Sequence, residues 1–162
     1  MTSLPAPFTG HTAQVLPEWI DENGHMNLAF YVVIFDGATD LLWDAIGLGQ
    51  PYRQATRNGT FAAETHILYR AELFLGEEAS VSTQILGADS KRVHLAHEMR
   101  RGPALIAQQE IMLLHVSLET RRVTPFPPDT LARVLAAAAA HAALPRPDWI
   151  GRRVAMPTLA PA

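Results

Sequence analysis

Positions 19–27 read Trp19-Ile20-Asp21-Glu22-Asn23-Gly24-His25-Met26-Asn27, two carboxylates, two carboxamides and an imidazole in one short segment. A carboxylate such as Asp21 can attack a carbonyl carbon or take a proton from water. Neighbours such as Asn23 and His25 can donate the hydrogen bonds that orient the water or the substrate. The apolar run beginning at Leu28 makes this segment lead into a helix N-terminus. Unpaired backbone N–H groups there, near Asn27 and Leu28, would meet a developing oxyanion with positive potential. The same residue types also suit a structural role, with Asp21 and Asn23 in turn contacts, Gly24 at positive φ and Asn27 as the helix cap.

The elements that must position this segment follow from periodicity. Residues 28–46 are apolar on nearly every side, interrupted mainly by Asp36, Asp40 and Asp44 at i, i+4 and i+8, which predicts a helix buried all round except for one acidic stripe. Gly47 and Gly49 stand where it should stop, and Asn58-Gly59 signals a turn, so residues 47–59 are expected as a loop. Ahead of the segment, residues 1–10 read as a loose lead-in and 11–16 as a short strand ended by Pro17.

Four stretches of strand character follow, at 60–75, 79–86, 91–100 and 104–116. Gly76-Glu77, Gly87-Ala88-Asp89-Ser90 and Arg101-Gly102-Pro103 separate them like hairpin connections in an antiparallel meander. In the third, Val93, Leu95, His97 and Met99 alternate with His94, Ala96, Glu98 and Arg100, and the first set is expected to face inward. Pro125, Pro127 and Pro128 break the sheet, Asp129 can cap a helix over 131–143, and the Pro-rich tail from Leu144 has no assignment.

This order predicts an α+β class: a five-stranded antiparallel sheet wrapped around one long central helix, with a short C-terminal helix, which is the hot-dog fold. The whole chain, 1–162, reads as a single domain with its core at about 11–128. A sheet of this kind leaves long edge strands, and a second copy of the chain is the simple cover for them, so a homodimer is expected, with a homotetramer as the next step.

The chain has 162 residues, 48% hydrophobic, and its size allows roughly 70% of the unfolded surface to be buried. Thirteen basic against sixteen acidic residues give a formal charge of −3, the wrong sign for a nucleic-acid partner. Without cysteine there is no disulfide frame, thiolate nucleophile or Cys-ligated metal. No stretch has the length of a signal peptide's apolar region or of a membrane span, so a soluble, cytoplasmic protein with no membrane partner is expected.

The motif Asp21-x-Asn23-Gly24-His25-Met26-Asn27, followed by Tyr31 and by Tyr69 and Glu72 in the second strand stretch, resembles the hot-dog acyl-CoA thioesterases. That superfamily includes 4-hydroxybenzoyl-CoA thioesterase and the plant acyl-ACP thioesterases. The likeness runs from Val15 to about Pro128, through Lys91-Arg92-Val93-His94 and Pro125-Phe126-Pro127, and is greatest to the branch of carnitine catabolism, the betainyl-CoA thioesterases. It implies hydrolysis of a small acyl-CoA thioester to free acid and CoA, with no metal and no redox cofactor. Asp21 would be nucleophile or general base, with Asn23 and His25 beside it. Having Asn23 and His25 in the loop departs from the benzoyl-type pattern, so both routes for Asp21 stand.

For a quaternary ammonium acyl group the aromatic residues Trp19, Phe30, Tyr31, Trp43 and Phe61 are candidate walls, with Trp19, Tyr31 and Phe61 foremost. In the second strand stretch Glu64, His66, Leu68, Arg70 and Glu72 should share one face and Phe61, Ala63, Thr65, Ile67, Tyr69 and Ala71 the other. Glu64 and His66 are reserve catalytic candidates, reaching a site across a dimer interface. His94 and His97 should point to opposite faces and share no metal, and His115 reads as structural or supporting.

The phosphates of CoA need cations, for which the pairs Lys91-Arg92, Arg100-Arg101, Arg121-Arg122 and Arg152-Arg153 are candidates. Two other functions fit the same chain. One is a hydratase or dehydratase on acyl thioesters using His25, and the other is a non-catalytic acyl-CoA binding module.

Overall fold

The structure, a computed structural model, describes residues 4–156; residues 1–3 of the lead-in and 157–162 of the tail lie outside the described residues. Strands Phe8–Gln14 (β1), Asn58–Tyr69 (β2), Glu78–Ala88 (β3), Arg92–Arg101 (β4) and Ala104–Ser117 (β5) form one antiparallel sheet. Its spatial order is β1-β3-β4-β5-β2. Against it lie the long helix Leu28–Ala45 (α1), a short helix Gln50–Thr56 (α2) and a C-terminal helix Pro128–His141 (α3). This is the α+β hot-dog architecture expected from the sequence.

The central helix turns Tyr31, Ile34, Phe35, Ala38, Leu42 and Trp43 to the sheet, the i, i+3, i+4 spacing of one helical face. Its first half packs on Val15, Val81, Met99 and Ile106, its second half on Ile85, Leu95, Ile111 and Phe126. Phe35 and Leu42 are fully buried, each worth roughly 1.5–3 kcal/mol. The helix is not buried all round, however. Besides Asp36, Asp40 and Asp44, its outward stripe carries Leu28, Val32, Val33 and Leu41, because five strands in one chain do not reach around the helix. At its C-terminus Arg133 of α3 donates to the Ile46 and Gly47 carbonyls, which complements the negative end of the helix dipole. No helix among the described residues is long and apolar enough to cross a membrane.

Several sequence expectations are corrected. The loop expected at 47–59 holds α2, started by Pro51 and ended by Arg57 in the left-handed region at φ 56°. Tyr52 anchors it, its hydroxyl 2.7 Å from His115 Nε2, while His115 Nδ1 donates to the Thr124 carbonyl at 2.8 Å. His115 is therefore structural. The first strand begins at Phe8 rather than His11, and α3 begins at Pro128 with no side-chain cap, leaving Asp129 in its first turn.

The meander holds only for β3-β4-β5. β2 lies at the far edge beside β5, so residues 70–77 form a crossover to β3 instead of a hairpin. That crossover is stitched to the rest by Arg70 and Ala71 N–H on the Ile106 carbonyl and by Met26 N–H on the Leu73 carbonyl. A bulge between Ala62 and Glu64 shifts the register of β2. Phe61, opposite Leu114, thereby joins Glu64 and His66, opposite Met112 and Glu110, on the sheet's outer face rather than joining Thr65 and Ile67. The tail crosses this outer face, where Trp149 is buried and Gly151 N–H donates to Glu110.

Candidate active site

The segment between β1 and α1 is a closed loop. A 3-10 turn at Pro17–Trp19 starts it, and a bridge between Ile20 and Met26 shuts it. Inside, Asp21 N–H donates to the His25 carbonyl at 3.1 Å and Gly24 N–H to the Asp21 carbonyl at 3.0 Å. Gly24 sits at φ +83°, where a side chain would be strained, as the turn reading expects. Both carboxylate oxygens of Asp21 are held: Oδ1 accepts from Asn23 N–H at 2.8 Å and Oδ2 from the Asn27 amide at 3.1 Å. The Asn23 amide first, then the Asn27 side chain and the nearby His25, hold Asp21 below the ordinary aspartate pKa, so it is ionised in neutral solution.

Asn27 has a second task, accepting from Ala29 N–H at 3.0 Å as the N-cap of α1. Its own N–H donates to the Trp19 carbonyl, so its backbone is not free to meet an oxyanion as the sequence suggested. The Phe30 N–H turns back to the Asn27 carbonyl. Of the first three helical amides, the N–H of Leu28 is the one without an acceptor among the described residues, on a residue 63% exposed. A donor at the positive end of a helix thus follows directly after Asn27, whose amide holds the ionised carboxylate, the arrangement that polarises a carbonyl and aims an oxygen at its carbon.

His25 turns Nδ1–H onto the Met26 carbonyl at 3.2 Å, leaving Nε2 3.7 Å from the Glu72 carboxylate. Asn23 contributes its backbone to Asp21, with its side chain exposed. Among the candidate acyl walls, Trp19 stacks on Phe30 at 5.1 Å, and buried Tyr31 meets Tyr69 edge-on at 5.1 Å with its hydroxyl on the Ala71 carbonyl. Burial, with the negative charge of Glu72, raises the pKa of the Tyr31 hydroxyl and keeps it protonated.

Phe61 does not join this group. It lies about 26 Å along β2 from Tyr69, on the outer face with the Arg121 guanidinium 5.1 Å from its ring. Trp43 is in the core near the other end of α1.

Glu64 and His66 also stand apart, in an outer-face pocket of about 280 Å³ with His94, Glu110, Arg152 and Arg153. His94 pairs with Glu110 at 2.8 Å there, while His97 lies on the inner face between Thr39 and Thr83, so the two histidines do point to opposite faces. Of the candidate phosphate ligands, Arg92 is bound to Asp89, Arg100 to Glu98 and Arg101 to Glu77. Lys91, Arg121 and Arg122 have no carboxylate partner among the described residues. A larger cavity, about 630 Å³, is lined by Phe8, Asp44, Ile46, Arg133 and Ala137. It lies at the far end of α1, some 27 Å from Asp21 along the helix, and its Arg133 is spent on backbone carbonyls.

The sequence reading placed Glu72 on a strand face with Glu64. The crossover sets it beside His25 instead, and no spacing rule gives that juxtaposition.

Residues 15–134 match the thioesterase-like superfamily. The chain is 45% identical over 152 residues to a betainyl-CoA thioesterase of Pseudomonas aeruginosa, covering 92% of this chain and 95% of that one. Among solved structures, a hypothetical protein from Staphylococcus aureus in complex with CoA superposes with a TM-score of 0.85 at 27% identity, covering 96% of this chain and 100% of that one. A putative thioesterase from Pseudomonas putida KT2440 does so at 0.79 and 36%, with the same coverage. An ionised aspartate held against the start of a central helix in a hot-dog sheet, together with these likenesses, places the chain in the thioesterase-like superfamily as a thioester hydrolase.

Proposed function

We propose that this chain hydrolyses betainyl-CoA to betaine and CoA, with Asp21 starting the reaction. The observation that carries the reading is the ionised Asp21 carboxylate, fixed by Asn27, next to the unengaged Leu28 N–H. Asp21 takes a proton from water as the water oxygen bonds to the thioester carbon. The carbonyl oxygen becomes an oxyanion that accepts from Leu28 N–H. Its collapse breaks the C–S bond, and the proton on Asp21 passes to the departing thiolate. In the alternative order Asp21 attacks the carbon itself, expelling the thiolate, and water then cleaves the mixed anhydride. Single turnover in heavy-oxygen water tests for the second route: label in Asp21 requires the anhydride, cleaved by water at the aspartyl carbonyl, because the direct-water route puts label only in the released acid. Water is the co-substrate, and the chemistry calls on no cofactor.

The acyl group follows from the 45% identity with a protein of that name and from the aromatic and acidic side chains beside Asp21. Glu22, Asn23 and Leu28 are exposed around a half-buried Asp21, the outward stripe of α1 is uncovered, and β2, paired with β5 on one side only, leaves its other edge open along the exposed residues Phe61 to Thr65. A second copy paired along β2 would cover both and add the missing wall, making the active assembly a dimer. A thiol-release assay over betainyl, short-chain, branched and aromatic CoA esters tests the reading. The highest kcat/KM should fall on betainyl-CoA, and a higher value for a neutral acyl group, or no thiol release from any ester, would overturn it.

A further inference from the structure

Most acidic side chains on this end of the sheet are already neutralised. Glu77 is bound to Arg101 and to the Phe74 N–H, and Glu98 to Arg100. Glu72 is not. The one ion-pair contact it makes among the described residues is with His25 Nε2 at 3.7 Å, and its side chain remains 60% exposed. Three residues earlier Tyr69 keeps 47% of its surface in solvent, although burying that ring would be favourable. Tyr31 meets Tyr69 edge-on, and Tyr31 is itself tied to the Ala71 carbonyl, between Tyr69 and Glu72 in sequence. The segment from Tyr69 to Leu73 is fastened to the active loop by the Met26–Leu73 hydrogen bond. A half-exposed aromatic ring and an exposed carboxylate whose one ion-pair contact is the 3.7 Å approach of His25 thus lie three residues apart, in the segment hydrogen-bonded to the loop of Asp21.

We infer that Tyr69 and Glu72 are the specificity element of this site, reading the positive charge of a quaternary ammonium acyl group by ring face and carboxylate. The inference rests on the proposed acyl group. A trimethylammonium centre cannot donate a hydrogen bond, so it is recognised by aromatic faces and by negative charge alone, which are the two groups found here. In betainyl-CoA the charge stands one methylene from the carbonyl carbon, so a reader must lie beside the reacting carboxylate. The crossover supplies this position. An alternative task for Glu72, steadying His25, would act on every substrate alike.

The test compares betainyl-CoA with its neutral carbon isostere, 3,3-dimethylbutanoyl-CoA, which has the same shape without the charge. The wild-type chain should favour the charged ester in kcat/KM. Glu72→Gln and Tyr69→Leu should each cut that preference about five- to tenfold, chiefly through KM. Equal losses on both esters, or a preference unchanged in both variants, would overturn the inference while leaving betainyl-CoA hydrolysis standing. A wild-type chain that cleaved the isostere but not betainyl-CoA would instead overturn the proposed acyl group and the inference with it. Glu72→Gln changes an exposed, near-isosteric side chain, and its thermal transition should match the wild type, so a loss of preference reports on recognition rather than folding.

Discussion

Asn27 makes two hydrogen bonds with two consequences. One end of its amide caps the helix at Ala29 and the other fixes Asp21, so the geometry of the Asp21 carboxylate is tied to the start of the longest helix. The free Leu28 amide can be removed without touching any side chain of the site. Proline is favoured at the first helical position, where its missing N–H has no intrahelical partner, and Asn27 already has the extended ψ of 142° that a residue before proline adopts. Leu28→Pro should therefore fold with an unchanged thermal midpoint yet lose about 10²–10³ in kcat. A variant with wild-type turnover would move the oxyanion donor elsewhere. Asn23→Ala and His25→Ala should each be milder than loss of Asp21, since one contributes its backbone and the other stands behind the loop. A His25 variant as inactive as an Asp21 variant, with a shifted acidic limb in its pH profile, would make His25 the base.

The loop and helix were legible in the sequence because their signals are local: capping residues, a glycine at the turn and an apolar run of helical period. The inward alternation of Val93, Leu95, His97 and Met99 also stands as read. What periodicity does not carry is which strand pairs with which, so the crossover of 70–77 read as a hairpin and Glu72 went to a strand face. The bulge at Ala63 reversed the face of Phe61 for the same reason, since one extra residue changes every parity before it. A seven-residue α2 was too short to show a period.

Buried His97 of β4 gives an element-scale prediction. Its Nε2 lies 3.2 Å from the Thr39 hydroxyl, which itself donates to the Phe35 carbonyl, and its Nδ1 lies 2.9 Å from the Thr83 hydroxyl. Both contacts are therefore satisfied by the neutral ring, and burial pushes its pKa down to about 3. The unfolded chain takes up that proton near pH 6.5, so this stabilisation is complete above 6.5 and is lost as pH falls toward 3, by about 1.4 kcal/mol per pH unit. Urea denaturation at stepped pH should show that slope diminished by one proton in His97→Gln. An unaltered slope would mean the ring is already charged in the fold.

For the whole molecule, the exposed β2 edge and the uncovered stripe of Leu28, Val32, Val33 and Leu41 are the features that call for a second subunit. Light scattering should give a mass at least twice the 17.8 kDa of the chain. Mixing an Asp21→Asn chain with one damaged on its β2 face should restore part of the activity, because some mixed sites would then be intact. A fully active monomer would remove both the shared site and any role for Glu64 and His66 across the interface.

The most direct measurement of the central claim is the release of CoA thiol from betainyl-CoA by Asp21→Asn beside the wild type. The amide keeps the shape of the side chain but can neither hold the proton nor attack the carbon. Turnover should fall by about 10²–10⁴ with the thermal transition essentially unchanged. A folded Asp21→Asn chain that kept more than about a tenth of the wild-type kcat would contradict the assignment and pass the role of base to Glu64.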